Sequence, residues 1–138
     1  MKTTQAGILH GYRGALAALF ALAMLFALAP NADAHAHLVK SAPEKEAVLT
    51  KAPARIDLWF NELLEDGFNT ILVYPKSELG KEKPSDFTDG KVTVDPKDRT
   101  HLTVKLKALA PGEYVVDWRV LSRDGHSAPG RITFTVGK

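Results

Sequence analysis

Two short stretches hold residues able to bind a metal ion: "NADAHAHLVKSAP" at 31–43 and "SRDGHSAPG" at 122–130. The first contains His35 and His37, the second Asp124 and His126. A histidine that begins a processed chain has a free α-amine with a pKa near 7.7–8.0. A metal ion displaces that proton at neutral pH, and the ring Nδ1 of the same residue closes a chelate. Asp124 and His126 stand at i and i+2, and in extended backbone alternate residues point to one side. Carboxylate and imidazole then converge, although D-x-H alone reads better as an Asx-type turn around a chance histidine. Taken together the donors are three nitrogens and one oxygen. Tetragonal N,O ligation suits Cu(II), which also heads the Irving–Williams order; Zn(II), the rival, prefers tetrahedral sites. The chain has no cysteine, and its two methionines are Met1 and Met24, so residues 35–138 offer no sulfur ligand.

The amine is free only if a leader is removed. Residues 1–34 carry Lys2 and Arg13, an uncharged apolar run from Ala15 to Ala29, and then Pro30 and the triplet Ala32-Asp33-Ala34. This is the pattern of a secretory signal peptide, and the run is short of the roughly 18 apolar residues that span a bilayer. Ala34-His35-Ala36 is a second triplet of the same kind. Cleavage after Ala34 exposes His35, and cleavage after Ala36 exposes His37. The first leaves 104 of the 138 residues, enough for one domain with one core. The leader carries two of the 18 basic residues and one of the 16 acidic ones, so a net charge of +1 remains. Basic and acidic residues alternate, and no basic field invites nucleic acid. Without cysteine, an exported domain of this size must be held by its core rather than by disulfides.

The elements that would position the donors read as strands. "RIDLWF" sets Ile56, Leu58 and Phe60 on one face, and "HLTVKLKAL" does the same with Leu102, Val104 and Leu106. "EYVVDWRVL" aligns Tyr114, Val116, Trp118 and Val120, and "RITFTV" aligns Ile132, Phe134 and Val136. Period two with β-branched and aromatic residues is the half-buried strand pattern. "FNTILVYP" is a continuous apolar run, read as a buried strand. Turn signals separate these segments, and residues 76–100 read as an exposed connection with one short strand at "KVTV". About seven short strands in roughly 100 residues predict a two-sheet Greek-key β-sandwich. His101, beside Arg99 and Thr100, reads as a solvated loop histidine.

The same stretches resemble a known family. "HAHLVKSAP" is similar to the mature start H-x-x-L-x-x-S-x-P of the CopC/PcoC/YobA-like periplasmic copper-binding proteins. "APARIDLWFNE" resembles their A-P-x-x-I-x-L-x-F-x-E segment. "LAPGEYVVDWRVLSRDGHSAPGRITFTV" resembles their ending, with its Y-x-V-x-W-x-V-x-S-x-D-G-H core. The resemblance covers residues 35–138 apart from the variable 76–100. It implies an immunoglobulin-like, cupredoxin-like sandwich in the periplasm that binds one Cu(II) ion for copper resistance or homeostasis. It implies ligands at His35, Asp124 and His126, cleavage after Ala34, and hence a leader at 1–34 and a copper-binding domain at 35–138. It also implies partners: a copper-transporting membrane protein of the CopD type or another periplasmic copper protein. Glu62 matches a glutamate of these relatives and is expected behind the ligands, accepting from a bound imidazole. His37 is expected as a near neighbour of the ion. Two features depart from the pattern. The methionine-rich loop that some members use for Cu(I) is missing, and Ser127 stands where proline often follows the D-G-H histidine.

Two other functions compete. Copper monooxygenases that attack polysaccharides also use an N-terminal histidine with a second one. Against that reading the chain is short, and Trp59, Trp118, Tyr74 and Tyr114 fall in strand patterns rather than on a sugar-binding face. Asp124 as a ligand would also occupy a position that oxygen chemistry needs open. The other is a metal-free sandwich that makes protein contacts alone. A non-enzymatic copper carrier is the expected function.

Overall fold

The computed structural model describes Phe20 and residues 36–137; His35 and the residues of the expected leader at 1–34 other than Phe20 lie outside the described residues. Eight strands follow in order: β1 Leu38–Ala42, β2 Val48–Leu49, β3 Arg55–Phe60, β4 Thr70–Pro75, β5 Thr88–Val94, β6 His101–Leu106, β7 Gly112–Leu121 and β8 Ser127–Val136. They form two four-stranded sheets, ordered β1-β3-β6-β5 and β2-β8-β7-β4. All pairings are antiparallel except β2 with β8. The crossovers from β3 to β4 and from β6 to β7 are those of an immunoglobulin-like Greek key.

Alternation sets the core. Ile56, Leu58 and Phe60 of β3, Leu102 and Val104 of β6, Val116, Trp118 and Val120 of β7, and Ile132, Phe134 and Val136 of β8 are all buried. The Tyr114 ring stacks on Phe134 with centroids 5.7 Å apart. Its hydroxyl donates to the Ala110 carbonyl at 2.9 Å, the tyrosine-corner contact of immunoglobulin-like sandwiches. Four residues further along β7, Trp118 lies over its register partner Gly130, where an added Cβ would fall 2.2 Å from the indole ring. Only glycine allows that approach. On the outer face, Tyr74 and Arg131 both hydrogen-bond the Asp117 carboxylate, joining β4, β7 and β8. Burial pushes that carboxyl up, but the bonds from Arg131 and Tyr74 outweigh it and hold the group below its ordinary range.

The structure adds detail to the sequence pattern at three places. β1 and the two-residue β2 extend the count beyond seven. β4 does not bury its whole length: Ile71 and Val73 point inward and Leu72 on the outward face is 42% exposed, because a two-layer sandwich leaves each sheet one open side, while Tyr74 on that side is covered where it bonds Asp117. The connection after β4 contains a short 3-10 turn at Lys76–Glu78, and β5 is longer than "KVTV", beginning at Thr88 with an irregular register between Asp89 and Thr93.

Candidate metal centre

The second donor stretch is the hairpin loop between β7 and β8. Gly125 N–H closes a turn onto the Ser122 carbonyl at 2.9 Å, with Gly125 at φ 88°, a conformation that favours glycine. Ser122 N–H donates to the His126 carbonyl at 2.9 Å, so the base of the loop is zipped. Within it Asp124 forms the Asx turn that the sequence allowed and also brings its carboxylate to the imidazole. Its Oδ1 accepts the His126 backbone N–H at 3.0 Å, which is the Asx turn, and its Oδ2 lies 2.9 Å from the His126 Nδ1. At this distance the Nδ1–H donates to the Asp124 carboxylate, which fixes the orientation of the His126 ring. Both side chains are well exposed, 57% for His126 and 39% for Asp124, so an ion can reach them.

The first donor stretch is brought to the same end of the sandwich by the loop 61–69. Asn61 clamps the N-terminal segment: its Oδ1 accepts the His37 N–H at 2.6 Å, and its own N–H donates to the His37 carbonyl at 3.2 Å. Ala36, next in the chain, is 7% exposed and packs in the core. Two residues further along, the same loop grips the base of the Asp-Gly-His hairpin. Arg123 N–H donates to the Leu63 carbonyl and Glu65 N–H to that of Leu121, both at 2.8–2.9 Å, and Leu64 bridges to Ser122. The chain from 61 to 65 thus ties residues 36–37 to residues 121–123.

His37 is exposed on this end, and no hydrogen bond or ion pair among the described residues joins its ring or Glu62 to His126. Glu62 is half-buried in the loop beside Asn61. His101 corrects the sequence reading. It is 13% exposed, with Nε2 2.8 Å from Asp57 Oδ1 and its ring stacked on Trp59 at 4.4 Å. It is not solvated because it opens β6 directly across from Trp59 on the outward face of the sheet. Asn61, Asp57 and this stack were not singled out from sequence.

An immunoglobulin-like sandwich with an imidazole–carboxylate loop and an anchored N-terminal segment at one end defines a class of small β-domains. Within that class the particular family is shown: residues 38–137 match the CopC domain, and the chain belongs to that family. It is 40% identical over 119 residues to the copper transport protein CutJ of Bacillus subtilis, covering 85% of this chain and 21% of that protein. The chain therefore spans about a fifth of that relative's length. It is 39% identical over 121 residues to protein YobA of Escherichia coli K12, covering 85% of this chain and 92% of YobA. Among solved structures it is similar to PcoC, a methionine-rich copper resistance protein from Escherichia coli. That match has 32% identity and a TM-score of 0.61 over 75% of this chain and 99% of that one.

Proposed function

We propose that this protein is an exported, periplasmic Cu(II) carrier that serves copper resistance and homeostasis. It holds one ion through the amine and ring of His35 together with Asp124 and His126. The observation that carries the reading is the 2.9 Å Asp124–His126 pair, on a loop that residues 61–65 tie to the N-terminal segment. Copper supplies no bond-making chemistry in this reading; it is cargo. The protein's work is to fix the donors in advance. Asp124 orients the imidazole, Gly125 permits the turn, and Ala36 and Asn61 hold the backbone one and two residues after His35. Relatives are named copper transport and copper resistance proteins rather than enzymes, which supports a carrier over a monooxygenase. The four aromatic residues that a polysaccharide site would need are engaged elsewhere. Trp118, Tyr74 and Tyr114 are buried, and Trp59 is stacked on His101. The receiving partner in this proposal is a copper-transporting membrane protein of the CopD type or another periplasmic copper protein. In its support, the Bacillus relative contains a matching domain within a longer copper transport protein.

A rival mode exists inside the same residues. A free amine with histidine at the third position wraps Cu(II) with two deprotonated backbone amides. Here that mode would consume the His37 amide, which already donates to Asn61, and would pull Ala36 out of the core. The folded sandwich opposes it. Cu(II) titration of the chain beginning at His35 should therefore show His126→Ala weakening binding far more than His37→Ala. The reverse order would make the wrapped mode the true one.

Glu62 is retained as the acceptor behind a metal-bound imidazole of His35, with its half-buried carboxyl next to the Asn61 clamp as support. Losing such a partner lowers metal affinity about 10–100-fold without removing a ligand. Glu62→Gln is expected to weaken Cu(II) within that range and to leave the electron paramagnetic resonance spectrum unchanged. Unaltered affinity would return Glu62 to the ordinary loop acids.

A further inference from the structure

Among residues 36–137 six large apolar side chains are exposed: Val39, Val48, Leu63, Phe68, Leu72 and Leu79. Single exposed apolar residues are ordinary, but Leu63, Phe68 and Leu72 fall close together, in the loop 61–69 and on β4. The fold holds them on one flank. The Leu63 carbonyl accepts from the Arg123 N–H, and Asn69 Oδ1 accepts from the Leu121 N–H. The two ends of the loop are therefore bonded two residues apart at the end of β7, within about 7 Å of chain. Phe68, beside Asn69, is 69% exposed, and Leu63 is 47% exposed. Leu72 lies on the outward face of β4, across from Asp117. The loop is braced where it presents these side chains. Leu64 is fully buried, Asn69 Nδ2 donates to the Glu65 carbonyl at 2.5 Å, and Arg99 bonds both Asp66 and the Leu64 carbonyl. Phe68 thus stands in water on a fixed loop, outside the core that the other aromatic side chains build.

We infer that Leu63, Phe68 and Leu72 form the face by which this domain docks on the protein that receives its copper, a role that rests on the carrier reading above. The occupant is a protein surface with an apolar centre and basic side chains around it. Exposed apolar clusters with a polar rim mark protein or membrane contacts, and the rim here decides between them. The loop carries Glu62, Glu65 and Asp66 and no basic residue, and Arg99 offsets only Asp66, to which it is paired. Anionic head groups repel such a rim, whereas lysine and arginine on a protein complement it. The same loop ties residues 36–37 to the Asp-Gly-His hairpin, so a protein seated on it stands beside the proposed ion. In CutJ the matching domain is about a fifth of a longer copper transport protein, so there a domain of this family has the rest of such a chain as its neighbour. Three side chains supply only part of the roughly 800 Å² per partner of a standard interface. The contact is therefore transient, as release of a cargo requires.

The test measures docking of the processed chain, beginning at His35, on CutJ from which the matching domain has been deleted, held in nanodiscs of zwitterionic lipid. Wild type is expected to bind, and Phe68→Ser and Leu72→Ser are each expected to weaken binding about tenfold or more, as loss of a central apolar contact does. Val48→Ser, at a comparably exposed site on β2, is expected to leave docking unchanged. All three variants replace surface side chains, so each should give the circular dichroism and the Cu(II) affinity of wild type. No binding by wild type, or equal binding by Phe68→Ser, overturns the docking face. Phe68-dependent binding to lipid vesicles without CutJ would make a bilayer the occupant, and Phe68-dependent dimers in sedimentation would make it a second copy; either result overturns it as well. A chain that binds Cu(II) but does not dock removes the docking face alone. A chain that docks through Phe68 yet binds no Cu(II) removes the copper reading and leaves the docking face in place.

Discussion

A chain that keeps even one residue ahead of His35 will lose most of its Cu(II) affinity. The extra residue turns the His35 amine into an amide, which is no ligand while it keeps its proton, and so removes one of the two nitrogens that this single residue supplies. The remaining donors are His126 and Asp124, joined by a 2.9 Å contact in an exposed loop, and a lone ring at His35. Removing a direct ligand should cost more than the roughly 10–100-fold that accompanies loss of a partner behind one. The measurement is a competition titration of extended and processed forms against a Cu(II) chelator of known strength. Equal affinities would remove the amine from the site.

Phe134→Ala will cost about 3–5 kcal/mol, as large aromatic truncations in a packed core do. Phe134 is 1% exposed on β8, stacked against Tyr114, and lies at the centre of the sandwich. Against a total stability of about 5–15 kcal/mol, that is enough to leave a minority of chains unfolded or most of them. No disulfide limits the loss, since the chain has no cysteine. For a domain of this size each kcal/mol moves the melting temperature by about 4–8 °C, so thermal unfolding followed by circular dichroism should show a drop of well over 10 °C. A drop of only a few degrees would mean that the core around Tyr114 repacks, and that the close stack is not what holds β7 to β8.

The inward faces were legible because alternation needs no partner to be read: Leu58, Val104, Val116 and Phe134 declare their side by spacing alone. β1 and β2 were not, since "LVKSA" buries Ser41 and leaves Val39 exposed, and β2 is two residues whose only partner is β8, almost ninety positions away. His101 was misread for a related reason. Its surroundings depend on the register of β6 against β3, which places it opposite Trp59 and within reach of Asp57, and no local pattern encodes that register. In the D-x-H motif the Asx turn and the convergence of carboxylate and imidazole were both legible, and the loop shows the two together. At the start of loop 61–69 the sequence drew attention to Glu62, whereas the side chain that grips the N-terminal segment is its neighbour Asn61. An asparagine that satisfies backbone groups of a distant segment has no sequence signature.

In the proposed site one Cu(II) ion is shared between the N-terminal histidine and the Asp-Gly-His loop. Electron paramagnetic resonance of the chain beginning at His35, with one equivalent of Cu(II), compared with the same chain carrying His126→Ala, tests it most directly. A tetragonal spectrum with three nitrogen couplings is expected in the first and the loss of one of them in the second. A four-nitrogen spectrum that His126→Ala leaves unchanged would place the ion on residues 35–37 alone and contradict it.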